Sequence, residues 1–115
     1  MHTNTRKPQI ELAEVGMDAT QAVGTDRYPY RVMKVNKSRK TIWVARLGYR
    51  GVAGHNNAYT EDQRYEYFEY EDQQDSDNWY EYTLRKDARY HRKGESLNST
   101  AIHLGYANYY CDPSF

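Results

Sequence analysis

From about residue 15 onward, apolar or aromatic side chains recur at every second position in short runs, and clusters of Gly, Asn, Asp, Ser and Lys separate the runs. A period of two puts successive side chains on opposite faces of a strand, so the pattern predicts half-buried β-strands rather than helices. Residues 15–21 alternate weakly and predict a first strand, and residues 24–27 a turn. Residues 30–35 predict a second strand, in which Tyr30, Val32, Met33 and Val35 compete for the inner face; that competition predicts a bulge near Met33. The polar turn 36–39 and the β-branched and aromatic run 40–46 complete a hairpin. Residues 47–60 carry Gly48, Gly51, Gly54, His55, Asn56 and Asn57, and predict the longest irregular loop of the domain.

The alternation is clearest in residues 64–71 and 79–85, on either side of the turn cluster 73–78. These predict a second hairpin, with Tyr65, Tyr67 and one of Phe68 or Tyr70 facing Tyr80, Tyr82 and Leu84 across the ladder. A turn at 86–88, a strand at 89–92 stopped by Gly94, and a strand at 101–104 follow. The fold class expected is all-β: a small SH3-like barrel or a β-sandwich of antiparallel hairpins. An open meander closed by oligomerisation is the other arrangement. Residues 1–14, polar and poor in large apolar groups, are expected to form a flexible N-terminal arm, and 15–115 a single barrel-like domain.

Composition changes this picture in one respect. Only 38% of the 115 residues are hydrophobic and the mean hydropathy is −1.11, values that lean toward disorder. The 13 Tyr, 2 Trp and 2 Phe pull the other way, because each buried aromatic removes a large area from water and keeps a polar tip for the rim. The predicted core is thin, and self-association into a homo-oligomer is one way to enlarge it. The 16 basic side chains balance the 16 acidic ones, so the uniform basic footprint of a non-specific nucleic-acid binder is absent. The single cysteine, Cys111, permits no internal disulfide and favours a reducing compartment. No apolar run reaches membrane-helix length, so no membrane role is expected.

The candidate chemistry is sparse. His2, His55, His91 and His103 make no pair at metal-ligand spacing, so neither a metal nor another cofactor is expected. His91 reads as a half-exposed strand residue; His55, in the glycine loop, is the stronger candidate for a functional role. Cys111 lacks a neighbouring base, and the carboxylates Glu66, Glu69, Glu71 and Glu81 alternate along predicted strands as solvated groups would. No nucleotide-binding glycine signature occurs, although Gly48, Gly51 and Gly54 beside Arg46 and Arg50 would let a backbone approach a phosphate. Aromatic and basic residues interleave at 27–31 and at 85–93, the combination that stacks bases and neutralises phosphates and that also anchors protein interfaces. These residues predict a binder, not an enzyme.

Several motifs resemble a family of short bacteriophage and prophage accessory proteins. They are Gly16-Met17-x-Ala19-Thr20, Asp26-Arg27-Tyr28-Pro29-Tyr30, Val35-x-Lys37-Ser38-x-Lys40-Thr41-Ile42-x-Val44, Glu61-x-Gln63-x-Tyr65-x-Tyr67, Thr83-Leu84-Arg85-Lys86-x-x-Arg89-Tyr90-x-x-Lys93-Gly94 and the ending Tyr109-Tyr110-x-Asp112-Pro113-Ser114-Phe115. Ala88 stands where that pattern has glycine, and Cys111 interrupts its aromatic ending. The resemblance implies a setting, the cytoplasm of a host bacterium, and a protein that acts by occupying a host defence protein or another host or phage protein. The alternatives are a nucleotide-signal or oligonucleotide binder and a virion or assembly component. The residues expected to carry binding are Arg27, Tyr28, Tyr30, Trp43, Arg46, Tyr49, Arg50, His55, Asn57, Arg64, Tyr65, Arg85 and Arg89.

Overall fold

The computed structural model describes residues 12–56 and 63–111. Apart from one 3-10 turn at Ser76–Asn78, the regular elements among them are strands: β1 (Asp18–Val23), β2 (Asp26–Val35), β3 (Thr41–Arg46), β4 (Gly48–Asn56), β5 (Gln63–Phe68), β6 (Tyr80–Leu84), β7 (Tyr90–Arg92) and β8 (His103–Leu104). Six of them form one antiparallel sheet in the order β7-β6-β3-β2-β1-β8, curled into a half-barrel, and β4 and β5 form a separate two-stranded ribbon. The all-β expectation holds. The two edges of the curled sheet come together where the Ile102 N–H donates to the Tyr90 carbonyl at 3.0 Å.

The inner face of the curl is set by register. Val32 faces Val44, Ile42 faces Tyr82, and Ala19 lies between Tyr30 and Leu104. These side chains make the core with Ala13, Tyr90 and Ile102. Ala13 belongs to the segment the sequence assigns to the arm, yet it is fully buried; residues 1–11 of that segment lie outside the described residues. The bulge expected near Met33 is present: the β2–β3 register shifts between Val32 and Lys34, which returns Val35 to the face of Ile42.

Two expectations are overturned. Residues 48–56 are a strand, not a loop. Gly48 pairs with Phe68 and Gly51 with Tyr65, and the Phe68 ring lies where a Cβ on Gly48 would be. Gly48 is therefore a site where an aromatic ring crosses the neighbouring strand, which weakens the loop reading of glycine in a β-context. The second hairpin also pairs differently. β5 goes to β4, while β6 lies between β3 and β7, so Tyr65 and Tyr67 do not face Tyr80 and Tyr82.

Pro29 explains why the chain leaves the first sheet. Its carbonyl accepts the Leu47 N–H at 3.0 Å, and on a strand the N–H of the same residue would point to the same side. Proline has none, so the β2–β3 ladder loses its return bond at this pair and the chain departs into β4.

The turn before β7 holds Ala88 at φ 65°, a left-handed conformation that costs a residue with a Cβ roughly 1–2 kcal/mol. Ala88→Gly is expected to raise stability by about 0.5–1 kcal/mol once the extra freedom of the unfolded chain is subtracted. A thermal melt checks this; a Tm at or below that of the parent protein is the contrary result.

Candidate binding site

At one end of the half-barrel the inner face stops being apolar. Gln21 and Tyr28 are paired across β1 and β2, Tyr30 faces Arg46 across β2 and β3, and Tyr82 faces Arg92 across β6 and β7. Partners in register share a face, so one concave mouth collects Gln21, Tyr28, Tyr30, Tyr80, Arg46 and Arg92. The Arg46 guanidinium lies 4.2 Å from the Tyr28 ring centroid and that of Arg92 lies 4.6 Å from the Tyr80 centroid. Tyr30 and Tyr80 meet edge to face at 5.9 Å, and the Tyr82 hydroxyl donates to Gln21 Oε1 at 2.9 Å.

Burial pushes the Tyr30 hydroxyl above its ordinary pKa, and the positive charge of Arg46, then that of Arg92, draws it part of the way back. Both cations are thus felt at one point of the mouth. Among the described residues the ion pairs are made by Arg31, Arg39, Arg50, His91 and Lys93, and neither Arg46 nor Arg92 has a carboxylate partner. Arg31 is the contrast: on the outer face it is held by Asp18 at 2.9 Å and Glu69 at 2.7 Å. A cavity of about 280 Å³ adjoins the mouth where β3 ends and β6 begins, lined by Arg46 and Tyr80 together with Tyr70, Asp72, Asn78 and Trp79.

The aromatic groups continue toward the ribbon. Tyr109, from the C-terminal tail, stacks on Tyr49 with centroids 3.6 Å apart and planes 10° from parallel. Its ring also meets Tyr65 at 4.9 Å and Tyr28 at 5.9 Å. The tail is held by the Arg27–Tyr110 bridge and by bonds of Gln63 to both the N–H and the carbonyl of Cys111. The Tyr109 hydroxyl is raised chiefly by its side-chain hydrogen bond with Tyr49. These four tyrosines form a second small packing centre that fastens the ribbon to the sheet.

The expected binding residues therefore divide. Arg27, Tyr28, Tyr30, Arg46, Tyr49 and Tyr65 gather around the mouth and the tail. Trp43 does not: it sits on the opposite face of β3, under Lys34 at 4.9 Å. Arg50 pairs with the exposed Glu66 at 3.4 Å, and Arg64 is exposed on β5. Arg85 is spent on structure, donating to Thr83 Oγ1, Glu95 O and Arg92 O, and Arg89 lies at a second cavity beyond β7. His55 falls on β4, but its side chain, like Asn57, lies outside the described residues. The sequence reading missed Arg92, Tyr80 and Tyr109 as site residues. The alternation Tyr90-His91-Arg92 was visible; that it aligns Arg92 with Tyr82 follows only from the β6–β7 register.

Comparison with protein-family models, with curated proteins and with solved structures finds no match to this chain.

Proposed function

We propose that the protein is a binding module for an anionic, ring-bearing ligand, a nucleotide or a short single strand of nucleic acid, held in the tyrosine and arginine mouth. The observation that carries this reading is the pair Arg46 and Arg92, placed on a concave face, each lying over a tyrosine ring and neither matched by a carboxylate among the described residues. The half-buried guanidinium of Arg46, without an anion, has given up hydration for little return, and a phosphate supplies the missing charge with bidentate geometry; Arg92, exposed at the end of β7, adds a second positive charge at the rim. The flanking rings offer the stacking faces that bases use.

Occupation of a host or phage protein draws on the surplus of tyrosine. Much of that surplus is used internally: Tyr82 and Tyr90 are in the core, and Tyr28, Tyr49, Tyr65 and Tyr109 pack on one another. That weighs toward the small ligand. In the setting implied by the sequence resemblance, such a site would hold a nucleotide signal of the host.

Titration calorimetry with nucleoside monophosphates, cyclic dinucleotides and a short single-stranded oligonucleotide tests the reading. Each charge-assisted contact contributes about 1.5–3 kcal/mol, so Arg46→Ala and Arg92→Ala are each expected to weaken binding by roughly tenfold to a hundredfold. Affinity should also fall steadily with added salt. No heat from any of these ligands, or Ala variants that bind as the parent does, would sink the proposal.

A further inference from the structure

Away from the mouth, on the far side of β7, the side chains of Asp87, His91 and Ser99 form a continuous hydrogen-bonded chain. His91 Nε2 lies 2.6 Å from Asp87 Oδ2, and His91 Nδ1 lies 3.1 Å from Ser99 Oγ. The imidazole is only 2% exposed, whereas Asp87 is exposed and Ser99 half-buried. All three line one cavity of about 450 Å³ with Arg89, Leu97, Thr100 and His103. The sequence reading treated His91 as a half-exposed strand residue. Its burial follows from the turn at Lys86–Ala88, which folds Asp87 back over the start of β7, and from the loop that returns Ser99 to the same ring.

We propose that Asp87, His91 and Ser99 are a nucleophilic triad, with Ser99 as acyl acceptor for a small ester that carries a carboxylate. The roles follow from the geometry. In the tautomer that carries its proton on Nε2, His91 donates to the Asp87 carboxylate, which leaves the Nδ1 lone pair facing the serine hydroxyl. The hydrogen bond from His91 holds Asp87 below the usual carboxylate range, so Asp87 stays charged while it orients the ring. The serine proton has a second acceptor in reach, the Ser96 carbonyl at 2.6 Å, and swings from it to Nδ1 as the reaction begins.

In the first step Ser99 Oγ bonds to the ester carbonyl carbon and its proton passes to Nδ1. The tetrahedral adduct collapses, the C–O bond to the alcohol breaks, and the alcohol leaves with the proton from Nδ1. Water then attacks the acyl-serine, gives a proton to Nδ1 and releases the acid; Ser99 recovers its proton. Arg89 at the cavity wall supplies the positive charge for the substrate's carboxylate, and Leu97 and Ala101 its apolar floor.

The test uses the full chain and a fluorophosphonate reagent, which forms a stable bond only with an activated serine. Intact mass and peptide mapping are expected to show one label, on Ser99. Asp87→Asn, at an exposed position, is expected to stay folded and to label about tenfold or more slowly. Ser99→Ala is expected to abolish the label, with folding checked by circular dichroism. The same samples should cleave the mono-4-nitrophenyl ester of succinic acid in preference to 4-nitrophenyl acetate, a preference lost in Arg89→Gln. A folded parent protein that takes no label, or takes it elsewhere than Ser99, overturns the proposal. So does a label that reaches Ser99 equally fast in Asp87→Asn, because a purely structural clasp would give that result.

Discussion

Tyr90→Ala is expected to cost about 3–5 kcal/mol, against a total stability of about 5–15 kcal/mol for an ordinary small domain. Three roles converge on this residue. Its ring is 2% exposed and belongs to the core cluster. Its hydroxyl donates to the carbonyl of Arg39 in the β2–β3 turn, on a different part of the sheet. Its own carbonyl receives the Ile102 N–H where the two sheet edges meet. Truncation removes the first two roles at once and leaves a cavity at the seam of the half-barrel. Tyr90→Phe separates the terms: it keeps the ring and loses one hydrogen bond, a loss of about 0.5–1.5 kcal/mol. Urea unfolding followed by tyrosine and tryptophan fluorescence measures both variants. Equal losses for the two would mean that the hydroxyl, not the ring, holds the seam.

The contrast between Tyr90 and Tyr65 shows what the sequence could and could not tell. Alternation located most of the strands in the first sheet, because a half-buried strand must expose every other side chain whatever its partner is. The Met33 bulge was legible for the same reason, since four candidates for one face cannot all be accommodated without an extra residue. Pairing was not legible. Residues 63–68 and 80–84 alternate equally well, and nothing local states that Gly48 receives the ring of Phe68. The glycines break the alternating pattern of 48–56 and so resemble a loop, although at Gly48 the missing Cβ is what admits the cross-strand ring.

The mouth was half legible on the same grounds. Tyr28, Tyr30 and Arg46 lie on strands whose hairpin the sequence identified, so their shared face followed from the period of two. Arg92 comes from a strand three positions away in the sheet order β7-β6-β3-β2 and joins them only because the sheet curls. The Asp87–His91–Ser99 chain was illegible for a further reason. A lone histidine between Arg89 and Arg92 resembles a solvated position, and its burial depends on a tight turn at Ala88 and on the return of a loop eight residues later.

Raising the pH above about 10 is expected to unfold the protein steeply, because tyrosine ionisation favours the unfolded chain. Burial raises the hydroxyls of Tyr82 and Tyr30 above the ordinary value of 10.0. A group whose folded-state pKa is raised contributes its full stability below the unfolded value and loses it as the pH climbs toward the folded one. Below about pH 9 both states are protonated at these groups and stability is flat in this respect. Above about pH 10 the unfolded chain releases protons that the folded chain keeps, at about 1.4 kcal/mol per pH unit for each such tyrosine. Tyr82 and Tyr30 together then remove about 3 kcal/mol per pH unit, an upper figure because Tyr30 is only half-buried. Tyr65, Tyr67 and Tyr109 are raised in the same direction but are more open to solvent, and screening reduces their share. Urea midpoints measured across the alkaline range check the slope, and the ultraviolet absorbance of tyrosinate shows when the protons leave. Tyr82→Phe removes one titrating group from the unfolded state and should flatten the alkaline limb by about 1.4 kcal/mol per pH unit. An unchanged limb in that variant would locate the sensitivity in the tail tyrosines that fasten the ribbon, where detachment of Tyr109 from Tyr49 precedes loss of the core.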